Sequence, residues 1–147
     1  MQLVKQLMTT HLHTHLPTDT LRDAEKTMAG HHIRHIPVVD EEGKLCGLMS
    51  QREFLTEAFR ITDKFGAHHL QEYLSKTGIS QCMQHEVVTV TPDTSLQQAG
   101  ESLRANRRQG CVLVTDEHKV LVGMLTSQDF VKLASSCHTA SSSHACL

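Results

Sequence analysis

The chain has 147 residues, the usual size of one domain and enough to bury a real core. Fourteen basic against sixteen acidic residues leave a formal charge of −2, which offers no general attraction to nucleic acid or an anionic membrane. Four Phe and one Tyr are too few for an aromatic platform under single strands, and no apolar run is long enough to cross a bilayer.

The first eight residues, Met1 to Met8, lack the apolar stretch of a signal peptide, so a cytoplasmic protein is expected. Leu16-Pro17-Thr18-Asp19 opens a first helix that carries Leu21, Ala24 and Met28. Ile36 to Val39 reads as a strand, Asp40 to Gly43 as a turn, and Lys44 to Met49 as the partner strand. The helix after Ser50 continues through Phe54 and Ala58. Residues 60–78 read as a partly helical connector. Val87 to Val90 is a short β-branched run, followed by turn and helix-start chemistry in Thr91-Pro92-Asp93-Thr94-Ser95. Leu96, Ala99 and Leu103 then mark one buried helical stripe. Cys111 to Val114 is a buried strand, Thr115 to His118 a turn, Val120 to Leu125 its partner and Ser127 to Ala134 a closing helix. The Ser-, Ala-, His- and Cys-rich residues 135–147 read as a flexible tail.

This order is a duplication. Gly47-Leu-Met-Ser50-Gln-Arg-Glu53-Phe54 returns as Gly123-Met-Leu-Thr126-Ser-Gln-Asp129-Phe130, at an offset of 76. Met8/Met83, Pro17/Pro92, Leu21/Leu96 and Val39/Val114 stand 75 apart, which places one inserted residue in the second turn. Each repeat is thus strand, helix, strand, strand, helix: residues 1–59 and 79–134, in an α/β (α+β) domain built as a pair. The five cysteines, Cys46, Cys82, Cys111, Cys137 and Cys146, are an odd number without CxxC spacing. They fit free thiols in a reducing compartment, with Cys82 and Cys111 as small core residues.

The duplicated Gly, apolar, any residue, Ser/Thr, two of any residue and acid, the segment Ile33-Arg34-His35-Ile36-Pro37-Val38-Val39-Asp40, and the helix starts Pro17-Thr18-Asp19-Thr20-Leu21 and Pro92-Asp93-Thr94-Ser95-Leu96 together resemble the cystathionine β-synthase (CBS) domain pair, or Bateman module. The resemblance covers roughly residues 4–134 and points to a stand-alone, bacterial-type member. It implies two pseudo-twofold-related repeats with clefts between them that hold adenosine nucleotides in many members, and homodimers of pairs. A hydroxyl at a strand-to-helix junction lies beside free backbone N–H groups that favour a phosphate, and an acid three residues later can accept both ribose hydroxyls. Glycine at the strand end leaves room for a ligand to approach the backbone.

On this reading the better cleft combines Thr126 and Asp129 with Arg34 and His35, walled by Val90, Pro92 and Val112. The weaker one has Ser50 and Glu53, with Arg107 and Arg108 displaced toward the helix and Gln109-Gly110 aligned with Arg34-His35. Each acid also reads as a favourable first-turn charge, and each hydroxyl as a plain N-cap.

Twelve histidines raise a metal reading. His11, His13 and His15 alternate, and on a strand would share one side; His13 and His15 align with Val88 and Val90, a structural or ligand-adjacent place. Cys137, His138, His144 and Cys146 lack a standard finger spacing. Neither a nucleophile elbow, a Walker loop nor HExxH occurs, so an enzyme is not expected. The expected function is a regulatory module that senses AMP, ADP, ATP or S-adenosylmethionine, needs no other cofactor and modulates an unidentified effector protein. The alternatives are a ligand-free dimerisation scaffold, a metal-binding protein and a small hydrolase, for which the sequence offers no catalytic group.

Overall fold

The computed structural model describes residues 2–139, with side chains as far as Ser135. The chain divides into two compact units.

The unit His13–Val87 is built from α1 (Leu21–His31), β1 (His35–Val39), β2 (Leu45–Ser50), α2 (Gln51–Phe65) and α3 (Leu70–Leu74). Helix α1 starts at Thr20 because Thr20 and Asp23 bond reciprocally. The Asp23 carboxylate accepts the Thr20 N–H at 2.9 Å and the Thr20 hydroxyl accepts the Asp23 N–H at 3.2 Å. The bond from the Thr20 backbone is the main reason the Asp23 carboxyl lies below the usual carboxylate range. The helix ends at His32, which takes a left-handed conformation. Strands β1 and β2 form an antiparallel pair joined by a turn in which Asp40 accepts the Glu42 and Lys44 N–H groups, each at 2.9 Å. Leu21, Ala24, Met28, Ile36, Val38, Met49, Ile61 and Leu74 form the core, and Ile79 and Met83 complete it.

The other unit takes in the residues up to Leu12 and the described residues from Val88 on. It contains β3 (Thr89–Val90), α4 (Leu96–Ala105), β4 (Cys111–Thr115), β5 (Leu121–Thr126) and α5 (Ser127–Thr139), in a sheet ordered β3-β4-β5. Strand β3 runs parallel to β4, and β5 antiparallel to it. Ser95 caps α4 by accepting the Gln98 N–H at 3.1 Å. The core is Val4, Leu96, Ala99, Val112, Val114 and Leu125.

Each unit therefore buries the start of the other repeat. The Val4–Gln6 turn packs under α4, held by Val4 N–H to the Thr94 carbonyl (2.8 Å) and Lys5 N–H to the Pro92 carbonyl (3.0 Å). The Ile79–Gln81 turn does the same beside α1, where the Ile79 N–H donates to the Asp19 carbonyl at 2.7 Å. Thr9 exchanges two backbone bonds with Met124, and Gln84 exchanges two with Leu48.

Four details differ from the sequence reading. The inserted residue is not in the second turn: His35 opposite Ser50 matches Cys111 opposite Thr126, so the strands already stand 76 apart while the helix starts stand 75 apart. The extra residue lies in the loop from α4 to β4, and the true counterparts of Arg34-His35 are Gly110-Cys111. In repeat one the first strand shrinks to a single bridge from His15 to Val38, with imidazole bonds in place of the apolar edge that Val90 provides. In repeat two the run from Val87 shortens to Thr89–Val90. Helix α5 continues past Ala134 to Thr139; the rest of the tail, and the side chains of Cys137, His138, His144 and Cys146, lie outside the described residues.

Candidate functional site

Each unit ends a strand in a hydroxyl residue and begins a helix with an acid at its third position. In the unit holding β5, the Thr126 N–H donates to Asp129 Oδ2 at 2.8 Å, and the Thr126 hydroxyl reaches the same oxygen at 3.4 Å. Among the described residues Asp129 Oδ1 accepts no hydrogen bond. Its carboxylate is half-buried at the start of α5 and keeps accepting capacity. Val90 and Pro92 lie half-buried on the adjoining segment, where the Pro92 carbonyl receives the Lys5 N–H.

Val112 does not serve as a wall. It is 1% exposed and packs with Leu96, Ala99 and Leu125, because its alternation on β4 turns it toward the core. Arg107 and Arg108 are exposed in the loop after α4. Gln109, 5% exposed, has a role the sequence did not show: its Oε1 accepts the Val88 N–H (2.8 Å), and its Nε2 donates to the Val88 and Cys111 carbonyls (2.8 and 3.0 Å). A buried polar residue before a strand was the available signal, since such a group requires partners.

In the unit His13–Val87 the matching junction is more heavily bonded. Glu53 Oε1 accepts the Ser50 N–H at 3.0 Å and the Ser50 hydroxyl, and Oε2 accepts Gln84 Nε2 at 3.1 Å. Arg34 and His35 belong to this unit too: the Arg34 carbonyl accepts the Gln51 N–H at 2.8 Å, and His35 pairs with Ser50 across the ladder. Burial holds the His35 imidazole below its ordinary pKa; the Glu53 carboxylate opposes that and Arg34 adds to it. Arg34 is exposed and lines a groove of about 420 Å³ between α1 and α2, with Met28, Ile33, Phe54 and Leu55.

The duplicated glycines do not open space for a ligand. A Cβ on Gly47 would sit 2.4 Å from the Gln84 carbonyl oxygen, and one on Gly123 would sit 2.5 Å from Met8 Sδ. The exchanged segments fill that space.

His13 stacks on His31 with ring centroids 3.7 Å apart, and His15 bonds Asp19 (2.7 Å) and Thr27 (2.6 Å). Among the described residues no three His, Cys, Asp or Glu side chains gather as metal ligands. Burial pushes the thiols of Cys82 and Cys111 up, to about 11 and about 12, so both stay protonated at neutral pH. No described helix is long and apolar enough to cross a membrane.

Comparison with known proteins gives one consistent family. The family model described as CBS domain matches residues 4–60 and again 79–136. A CBS domain-containing protein of Bacillus subtilis, YhcV, is 32% identical over 129 residues, covering 88% of this chain and 83% of its own. Among solved structures, a Vibrio cholerae protein named AcuB superposes with a TM-score of 0.77 at 34% identity, covering 92% of each chain. The CBS domain pair of MJ0100, in complex with 5′-methylthioadenosine and S-adenosyl-L-methionine, superposes at 0.71 with 26% identity over 90% of this chain and 99% of its own. Larger enzymes match as well, and the chain spans only 20% of an inosine-5′-monophosphate dehydrogenase and 24% of a homoserine O-acetyltransferase.

Proposed function

Because the chain belongs to the CBS-domain family, as two repeats in tandem, we propose that it is a regulatory module that binds an adenosine-type ligand and conveys its presence to a partner protein. CBS-domain pairs are regulatory rather than catalytic modules. The ligand class is AMP, ADP, ATP or S-adenosylmethionine, and the complex of MJ0100 supports it.

The observation that carries the reading is the junction Thr126–Asp129. A hydroxyl and a carboxylate whose Oδ1 accepts no bond among the described residues stand at the positive end of a helix, which suits a phosphate beside a ribose diol. Binding favours whichever arrangement of the protein offers the tighter site, and a partner that distinguishes the arrangements senses the ligand. The proposal includes a homodimer, supported by apolar side chains left open on one helix of each unit. Leu55 and Phe59 on α2 are 41% and 68% exposed, and Val131, which stands where Leu55 does in the repeat, is 56% exposed. Those same faces also suit a ligand-free scaffold.

A thermal-shift panel separates the two. A saturating adenosine ligand at about a hundred times its Kd stabilises by about 2.7 kcal/mol, worth roughly 5–10 °C in a chain of this size. Asp129→Ala removes that shift and Glu53→Ala leaves it. An unmoved melting temperature with all four ligands overturns the sensor reading in favour of the scaffold.

A further inference from the structure

We propose that Gln84 keeps the Ser50–Glu53 junction closed to ligand, so that the duplicated chain has one working site. The inference rests on the nucleotide reading above and says which of two homologous junctions carries it.

A carboxylate can receive a vicinal diol only if its lone pairs are available. Of the roughly four acceptor sites on the Glu53 carboxylate, Ser50 takes two at Oε1 and the Gln84 amide takes one at Oε2 (3.1 Å), which leaves one fewer than the two hydroxyls of a diol need. Gln84 is held at that place by its backbone: the Leu48 N–H donates to its carbonyl at 2.9 Å, and its own N–H donates to the Leu48 carbonyl at 2.8 Å. Its position is therefore set by the exchanged segment and not by the side chain.

The other unit has the same backbone arrangement with a different side chain. Thr9, 75 residues earlier, exchanges the same two bonds with Met124 (2.9 and 3.0 Å). A threonine side chain ends in a hydroxyl and has no amide to donate, and among the described residues the bonds to Asp129 come from Thr126 alone. A diol that places both hydroxyls on Glu53 must take the acceptor site held by the Gln84 amide, whereas among the described residues nothing occupies Asp129 Oδ1. Losing one hydrogen bond to a charged group corresponds to about 10- to 100-fold in affinity, enough to leave the Glu53 site empty where the Asp129 site fills.

The test is titration calorimetry of the full chain with AMP and, separately, with S-adenosylmethionine, both of which carry the ribose diol. The wild type binds one ligand per chain. Gln84→Thr, which copies Thr9, binds two, and Gln84→Ala repeats the result should the threonine disturb folding. Gln84→Thr combined with Asp129→Ala binds one, now at Glu53. One ligand per chain in the wild type and in both single Gln84 variants overturns this inference and leaves the nucleotide reading standing, as a purely structural Gln84 would lower the melting temperature without adding a site. Two ligands per wild-type chain also overturn it. No heat of binding from any variant overturns both.

Discussion

Deleting residues 1–11 abolishes the cooperative folding of the unit that contains β3, β4 and β5. The deleted segment belongs to that unit although more than 75 residues separate it from β3 in sequence, and it supplies Val4, which is 0% exposed, and the partly buried Leu7 and Met8 to the core. Burying three such side chains is worth about 5 kcal/mol, against a total stability of about 5–15 kcal/mol for a domain. The truncation also strips backbone partners from Pro92, Thr94, Leu96 and Met124. In a 15N-HSQC spectrum the amides of residues 88–135 collapse toward random-coil positions. A truncated chain whose spectrum overlays the native one in that region would refute the exchanged-segment account.

The second large effect concerns the duplicated glycines. Gly47→Ala costs about 3 kcal/mol, seen as a fall of roughly 6–12 °C in melting temperature, and Gly123→Ala costs about 1 kcal/mol. The difference lies in what each new methyl meets. At Gly47 it meets the Gln84 carbonyl oxygen at 2.4 Å, an atom that cannot retreat without losing its bond to the Leu48 N–H. At Gly123 it meets Met8 Sδ at 2.5 Å and Cγ at 2.9 Å, parts of a flexible side chain that can rotate away. Equal losses, or a larger loss at Gly123, would show that the segments do not pack as described.

These effects mark how far the sequence could be read. The echo from Gly47 to Phe54 and from Gly123 to Phe130, the apolar spacing of α1 and α4 and the Asp40 turn were visible, since each depends on residues a few positions apart. The family, the two repeats and the pairing of each hydroxyl with an acid three residues on followed from them. What stayed hidden depends on separation. Nothing local shows that Met8 packs on Gly123 or that Gln84 bonds Glu53, because both contacts form through exchanged segments. The reason for the glycines was misread on that account, as space for a ligand instead of space for another part of the chain. Val112 was misplaced for a different reason: a fully apolar strand gives no alternation from which to tell its two faces. The difference between the junctions was legible in part. Glu53 against Asp129 could be seen, but the amide that occupies Glu53 lies 31 residues away.

A crystal structure of the protein grown with AMP or S-adenosylmethionine decides whether an adenosine-type ligand binds at Thr126–Asp129. Ligand density is expected with the ribose hydroxyls on the Asp129 carboxylate and none at Glu53, where the Gln84 amide remains bonded. Density at Glu53 alone, or a fully ligand-free structure at saturating concentration, would contradict this expectation.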